Sequence, residues 1–156
     1  MKITILLIGK TEKDYLKKEL DLFENRLKHY IPVEVNIIPA IKSSKNLSIK
    51  MHKLAEAELI LKQIKPDDHV ILLDEKGKQY SSEEFASFIQ GRLNTGIENL
   101  LFVIGGPFGF HEKIYEKANS VISLSKMTFS HQMIRLLFIE QLYRAFTILR
   151  NEKYHH

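Results

Sequence analysis

The chain has 156 residues, about one ordinary domain, and is 44% hydrophobic and 27% charged, close to a globular average. Four prolines and seven glycines are too few for a disordered or fibrous protein, and the absence of cysteine excludes a disulfide scaffold, a thiol nucleophile and a thiolate-ligated metal. The net charge of +4 is mild and favours a nucleic-acid partner only slightly.

Lys2–Ile8 is a buried-type apolar run and reads as a first strand. It is too short for a membrane span or a secretory signal, so the protein is expected to be cytoplasmic, with no membrane contact. Lys13–His29 carries Tyr15, Leu16, Leu20, Phe23 and Leu27 at helical spacing. Val33–Ile38, β-branched and bounded by Pro32 and Pro39, is a second strand. Ala40–Leu47 is a basic loop, and Ser48–Ile64 a helix stopped before Pro66. Lys42, Lys45, Lys50, Lys53, Lys62 and Lys65 face only Glu56 and Glu58, so this stretch carries a charge equal to that of the whole chain. It fits either a solvated helix face or a surface that meets phosphate.

Val70–Leu73 is a third strand, followed by a charged loop over Asp74–Tyr80. Ser81 and Glu84 form a capping box that opens the next helix, which ends near Asn94–Gly96. Leu100–Ile104 is a fourth strand, Glu112–Lys117 a short helix and Val121–Leu124 a fifth strand. A long helix fills roughly Ser130–Arg150. From Met133 to Leu149 twelve of seventeen residues are apolar or aromatic, broken by a thin stripe of Glu140, Arg144 and Thr147. Such a helix is either central to the domain or part of a subunit interface, and in a chain this small the interface is the preferred reading.

Strands alternating with helices imply an α/β fold: a mostly parallel sheet covered by helices on both faces. Ligands of such sheets lie beyond the carboxyl ends of the strands, which selects the loops after Leu73, Ile104 and Leu124. Gly9-Lys10-Thr11 lacks the earlier glycine of a phosphate-binding loop. Gly105-Gly106-Pro107-Phe108-Gly109, directly after a strand, lets a ligand approach the backbone, although a tight turn alone would also use it. The run Leu124-Ser125-Lys126-Met127-Thr128-Phe129 mixes hydroxyls with apolar groups and would suit an aromatic ring with polar edges, such as an adenine. The seven histidines show no metal spacing; His131 reads as a cap or packing residue, and the tail Tyr154-His155-His156 as a frayed end. The only carboxylate pair near the three loops is Asp74-Glu75.

Taken together, the strand ending in Gly-Lys, LLDEKGK, FVIGGPFGF, LSKMTFSHQMIRLLFIEQLYRAF and the terminal Tyr-His resemble the RlmH family, SPOUT-class methyltransferases of pseudouridine N3 in 23S rRNA. The resemblance spans the chain and implies a single domain over residues 1–156, of SPOUT type with a C-terminal trefoil knot. It also implies a homodimer through the C-terminal helix, with 23S rRNA in the ribosome as substrate. S-adenosylmethionine is the implied methyl donor, held by Leu73, Gly105, Leu124, Ser125, Lys126, Met127, Thr128 and Phe129, with no metal. A pseudouridine N3 is protonated at neutral pH and must lose its proton as it attacks the methyl, so a general base would help. His155 is the first candidate, since an ordinary imidazole titrates near about 6.5. Tyr154 would stack on or orient the base, and Arg144 would hold a phosphate or the developing imide anion. The rival expectations are a SPOUT enzyme acting on tRNA and a non-catalytic ribosome-binding factor.

Overall fold

The protein is described by a computed structural model covering residues 1–42 and 46–155. Lys45 of the basic stretch and His156 of the tail lie outside the described residues. In chain order the elements are β1 (Lys2–Ile8), α1 (Asp14–Leu27), β2 (Val33–Ile38), α2 (Ile49–Gln63), β3 (Asp68–Gln79), α3 (Ser82–Leu93), β4 (Asn99–Ile104), α4 (Glu112–Lys117), β5 (Ser120–Ser123) and α5 (Met133–Leu149). A single turn of 3-10 helix, Lys153–His155, follows.

The five strands pair in the order β2-β1-β4-β3-β5, every neighbouring pair parallel. The strands are apolar on both faces, and alternate residues feed two cores. Ile3, Ile5 and Leu7 of β1 with Leu100, Phe102 and Ile104 of β4 meet α1, α3 and α5. Leu6 and Ile8 with Leu101 and Val103 meet α2 and α4 on the other face. The helix starts follow local chemistry. Ser48 Oγ accepts from Met51 N at 3.1 Å at the head of α2. Ser81 and Glu84 exchange two bonds, of 3.1 and 2.7 Å, in the expected capping box of α3.

Three expectations change. The segment expected to be a charged loop after Leu73 belongs to β3, which runs on to Gln79. Ile122 of β5 pairs with both Leu73 and Lys78, so Asp74–Gly77 is looped out between two stretches of the same ladder. Backbone pairing makes no demand on the exposed side chains there, which is why their charge was misleading. Second, α5 lies on one face of the sheet between α1 and α3, with Phe138, Ile139, Leu142, Ala145 and Phe146 buried. Much of its apolar surface is therefore satisfied within this chain. Thr147, assigned to the polar stripe, is buried, its hydroxyl donating to the Arg144 carbonyl. Third, the tail is packed, not frayed. Asn151 turns the chain at φ 55°, in the left-handed region that asparagine tolerates after a helix. Glu152 N then donates to Thr147 O at 2.9 Å, and Tyr154 stands edge-on to Tyr143 at 4.8 Å.

One buried residue joins the start of α5 to the end of β1. Arg135 is 1% exposed. Its guanidinium donates to the carbonyls of Ile8 (2.5 Å), Gly9 (2.9 Å) and His131 (3.1 Å) and to the Thr11 hydroxyl (3.2 Å). Burial lowers its pKa and the charge of Glu12 opposes that shift. Gln132 adds a second clasp, accepting from Glu12 N at 3.0 Å and donating to Lys10 O at 3.1 Å. Gly9-Lys10-Thr11 thus serves as an acceptor nest for α5.

Arg135→Met keeps an unbranched apolar stem in place of the arginine and leaves these acceptors unpaired. Urea unfolding is expected to show a loss of about 3 kcal/mol with an unchanged m-value, from unsatisfied buried groups. A loss below about 1 kcal/mol would show that water or repacking replaces the arginine.

Candidate functional site

The carboxyl ends of β3, β4 and β5 are neighbours in the sheet, and the three loops that leave them enclose one cavity of about 630 Å³. Leu73, Gly105, Leu124, Ser125, Met127, Thr128 and Phe129 line it, and Lys126 is not among its lining residues. Seven of the eight residues expected around the methyl donor therefore share one wall system. The loop after β5 exposes its side chains: Met127 is 76% and Phe129 39% exposed.

Several contacts hold the three loops together. The looped-out part of β3 lies on the backbone of β5. A Cβ at Gly77 would stand 2.5 Å from the Ile122 carbonyl carbon, so only glycine permits this approach. Thr128 Oγ1 donates to Glu75 Oε2 at 3.2 Å, tying the loop after β5 to the β3 excursion. The Tyr115 hydroxyl of α4 donates to Asp74, and burial together with that bond pushes its pKa up. Ser123 Oγ donates to the Ser125 carbonyl at 2.8 Å, and Ser125 Oγ accepts from Met127 N at 2.9 Å. After β4 the chain turns through Gly105, where a Cβ would meet the Phe110 ring at 3.0 Å. This glycine thus packs against the core as well as lining the cavity.

The lining is mixed in charge. Asp74, Glu75 and Glu112 supply carboxylates, while Lys53, Lys76 and His131 supply basic groups. His131, expected only to cap or pack, is one of the walls. Lys53 belongs to the basic stretch, whose Lys42, Lys50, Lys62 and Lys65 are exposed. Glu56, however, does not face those lysines. It is 3% exposed and accepts from Gly106 N at 3.2 Å. Its position on the inner side of α2 could have been read from spacing with Ala57 and Ile60, which are also buried.

Arg144, Tyr154 and His155 lie elsewhere. None is among the residues lining the cavity. Arg144 donates to Glu140 Oε1 at 2.6 and 3.1 Å and lies 4.8 Å from the centre of the Tyr154 ring. The Tyr154 hydroxyl donates to the same oxygen at 3.1 Å, and burial plus that bond raise its pKa. His155 Nε2 is 2.7 Å from Glu83 Oε1, in the first turn of α3. Glu140, read in the sequence only as part of a polar stripe, and Glu83, not singled out there, hold this second cluster. Glu140 was visible as the i,i+4 partner of Arg144, whereas Glu83 is brought in only by the fold. A smaller cavity of about 350 Å³, lined by Ser82, Gln141, Leu124 and Phe129 among others, lies beside both α3 and the loop after β5. Among the described residues no group of three or more His, Asp or Glu could hold a metal ion, and no helix is long and apolar enough to cross a membrane.

Burial raises the pKa of Glu56, opposed by the Gly106 amide and by the charges of His52 and His131. A raised carboxyl pKa means that ionisation costs stability in the fold, so this contribution is lost as pH rises through the folded-state value. Relative to the native chain, Glu56→Gln should therefore gain stability as pH climbs from the ordinary glutamate range upward. Unfolding curves of the two proteins across that range check this; a difference that is flat or falls with pH would contradict it.

Comparison with known proteins agrees with this geometry. The family model described as "Predicted SPOUT methyltransferase" matches residues 1–155. A protein of Christiangramia forsetii named "Ribosomal RNA large subunit methyltransferase H" is 57% identical over 156 residues, covering 100% of this chain and 99% of the relative. Proteins of the same name from Parabacteroides distasonis and Flavobacterium johnsoniae are each 54% identical, with the same coverage. A parallel sheet whose last three strand tips enclose a cavity, matched along nearly its whole length, places this chain in the SPOUT methyltransferase family.

Proposed function

We propose that this chain, acting as one methyltransferase domain, transfers a methyl group from S-adenosylmethionine to N3 of a pseudouridine in 23S rRNA, on the assembled ribosome. The observation that carries the reading is the meeting of the loops after β3, β4 and β5 in one cavity. Relatives at 54–57% identity bear the name of a large-subunit rRNA methyltransferase.

The cavity suits the donor. Its volume of about 630 Å³ falls within the range of about 300–1,000 Å³ usual for small-ligand sites. Asp74, Glu75 and Glu112 offer negative charge to a sulfonium and an ammonium, and Lys53 offers positive charge to a carboxylate. Leu73, Leu124 and Phe129 supply apolar walls, while Gly105 and Gly106 bring backbone within reach of a ligand. When bound, the donor supplies a methyl on a sulfonium, already electrophilic, so the chain's task is to hold it and to prepare the nucleophile.

The nucleophile is an imide nitrogen that must surrender its proton. His155 takes that proton, Tyr154 stacks on or orients the ring, and Arg144 steadies the imide anion or a neighbouring phosphate. In one chain these three sit on α5 and the tail, away from the residues lining the cavity. A homodimer through the C-terminal helix would bring the tail of one copy to the cavity of the other. Half-buried Leu136, Leu137, Tyr143 and Ile148 and exposed Met133 on α5 favour such a contact. The trefoil knot of the C-terminal segment belongs to the same reading and rests on membership of the SPOUT family. The exposed lysines of and around α2 would meet rRNA phosphates, while the modified base must be unstacked to reach the methyl.

Nucleoside mass spectrometry of 23S rRNA, from cells with and without the gene, tests the substrate. Loss of N3-methylpseudouridine without the gene is expected; a loss of methylation confined to tRNA would overturn the reading. His155→Ala should slow methyl transfer about 100-fold or more while leaving donor affinity within about threefold, as removal of a general base does. An unaltered rate would remove His155 from the role of base.

A further inference from the structure

Among the described residues Glu56 is the only carboxylate buried to this extent, in a helix whose Lys50 and Lys62 are exposed. An ionisable side chain is an expensive way to fill a core, where an alanine or leucine would pack without desolvation cost. What glutamate adds is an acceptor with reach. Oε1 takes the Gly106 amide at 3.2 Å, two residues beyond the end of β4. Oε2 lies 3.6 Å from His52 Nε2, one helical turn earlier. The His52 ring, itself buried, stands edge-on to Phe108 with centroids 4.9 Å apart.

Glycine and carboxylate are matched. A Cβ at Gly106 would stand 2.7 Å from Glu56 Oε2 and 3.2 Å from Oε1, so a side chain there would displace the carboxylate. The turn is therefore gripped at two points from α2, at the Gly106 amide and at the Phe108 ring. Gly105, Gly106 and Phe108 all line the cavity, whereas Glu56 and His52 do not. The grip acts from behind the wall.

We infer that Glu56 is a positioning residue: with His52, it holds the Gly105–Phe108 turn in the shape that receives the methyl donor. The inference rests on the reading of the cavity as the donor site. Reach, not negative charge, carries the effect, because the contact is a hydrogen bond to a backbone amide. A glutamine at the same length still offers an oxygen, whereas an aspartate keeps the charge and falls one methylene short.

Calorimetric titration of S-adenosylmethionine into four folded dimers or monomers, as each exists in solution, tests this: native, Glu56→Gln, Glu56→Asp and Glu56→Ala. The native protein and Glu56→Gln should bind within about threefold of each other, and Glu56→Asp and Glu56→Ala about tenfold more weakly, the scale of one net hydrogen bond. Turnover at saturating donor should change less than affinity, since Glu56 does not touch the reacting atoms. If Glu56→Ala fails to fold, the Gln and Asp variants decide the question alone. Native-like binding by Glu56→Asp, or binding by Glu56→Gln as weak as that of Glu56→Asp, would overturn the role of Glu56 while leaving the donor site intact. Failure of the native chain to bind the donor would overturn the site and the inference together.

Discussion

The site depends on a place where two stretches of backbone lie against each other with no side chain between them. Gly77, in the looped-out part of β3, rests on Ile122 of β5, and any Cβ at that position would collide with main chain. This crossing keeps Asp74–Gly77 over the end of β5 and opposite the glycine turn after β4. Without it the three strand tips would be ordinary neighbouring loops. With it they become walls of one cavity, pinned further by Thr128 on Glu75 and Tyr115 on Asp74.

Two buried polar side chains then fix the remaining freedom from opposite faces of the sheet. Arg135 binds the end of β1 to the start of α5, just after the loop that forms one wall. Glu56 binds α2 to the turn that forms another. Each acts chiefly through backbone groups, although His52 lies beside Glu56 and Glu12 near Arg135. Each satisfies backbone groups left over where a strand ends, a problem that every parallel sheet meets at its carboxyl edge. The second cluster, of Arg144, Glu140 and Tyr154, is solved differently, with two donors sharing one carboxylate oxygen on the surface of α5.

Much of this was legible in the sequence because local chemistry marks it. Prolines bracket β2, Ser81 and Glu84 announce α3, and alternation of apolar runs with amphipathic stretches implies the parallel sheet and hence its ligand-bearing edge. The three loops after Leu73, Ile104 and Leu124 meet in one cavity because the rule about strand ends is topological and needs only the element order; the donor residues within them, seven of which line it, are implied by the family resemblance. What escaped notice is what depends on long-range partners. The charged segment after Leu73 reads as a loop until Lys78 and Gln79 pair with Ile122 and Ser123 of β5. Arg135 draws no reading of its own, and Glu56 reads as a charge among lysines, until backbone groups far along the chain are brought to them. The tail reads as frayed until Tyr143 and Glu140 offer Tyr154 a ring and an acceptor. The preference for α5 as an interface undervalued how much of it one face of the sheet would cover.

The central claim is that these three turns form the seat of the methyl donor. A crystal structure of the protein with S-adenosylmethionine measures it directly. The account predicts the donor between the turns after Leu73, Ile104 and Ser123, against Gly105 and the stretch 124–129. Donor density in the smaller cavity by Ser82 and Gln141, or on the lysine face of α2, with the space between those turns empty, would contradict it.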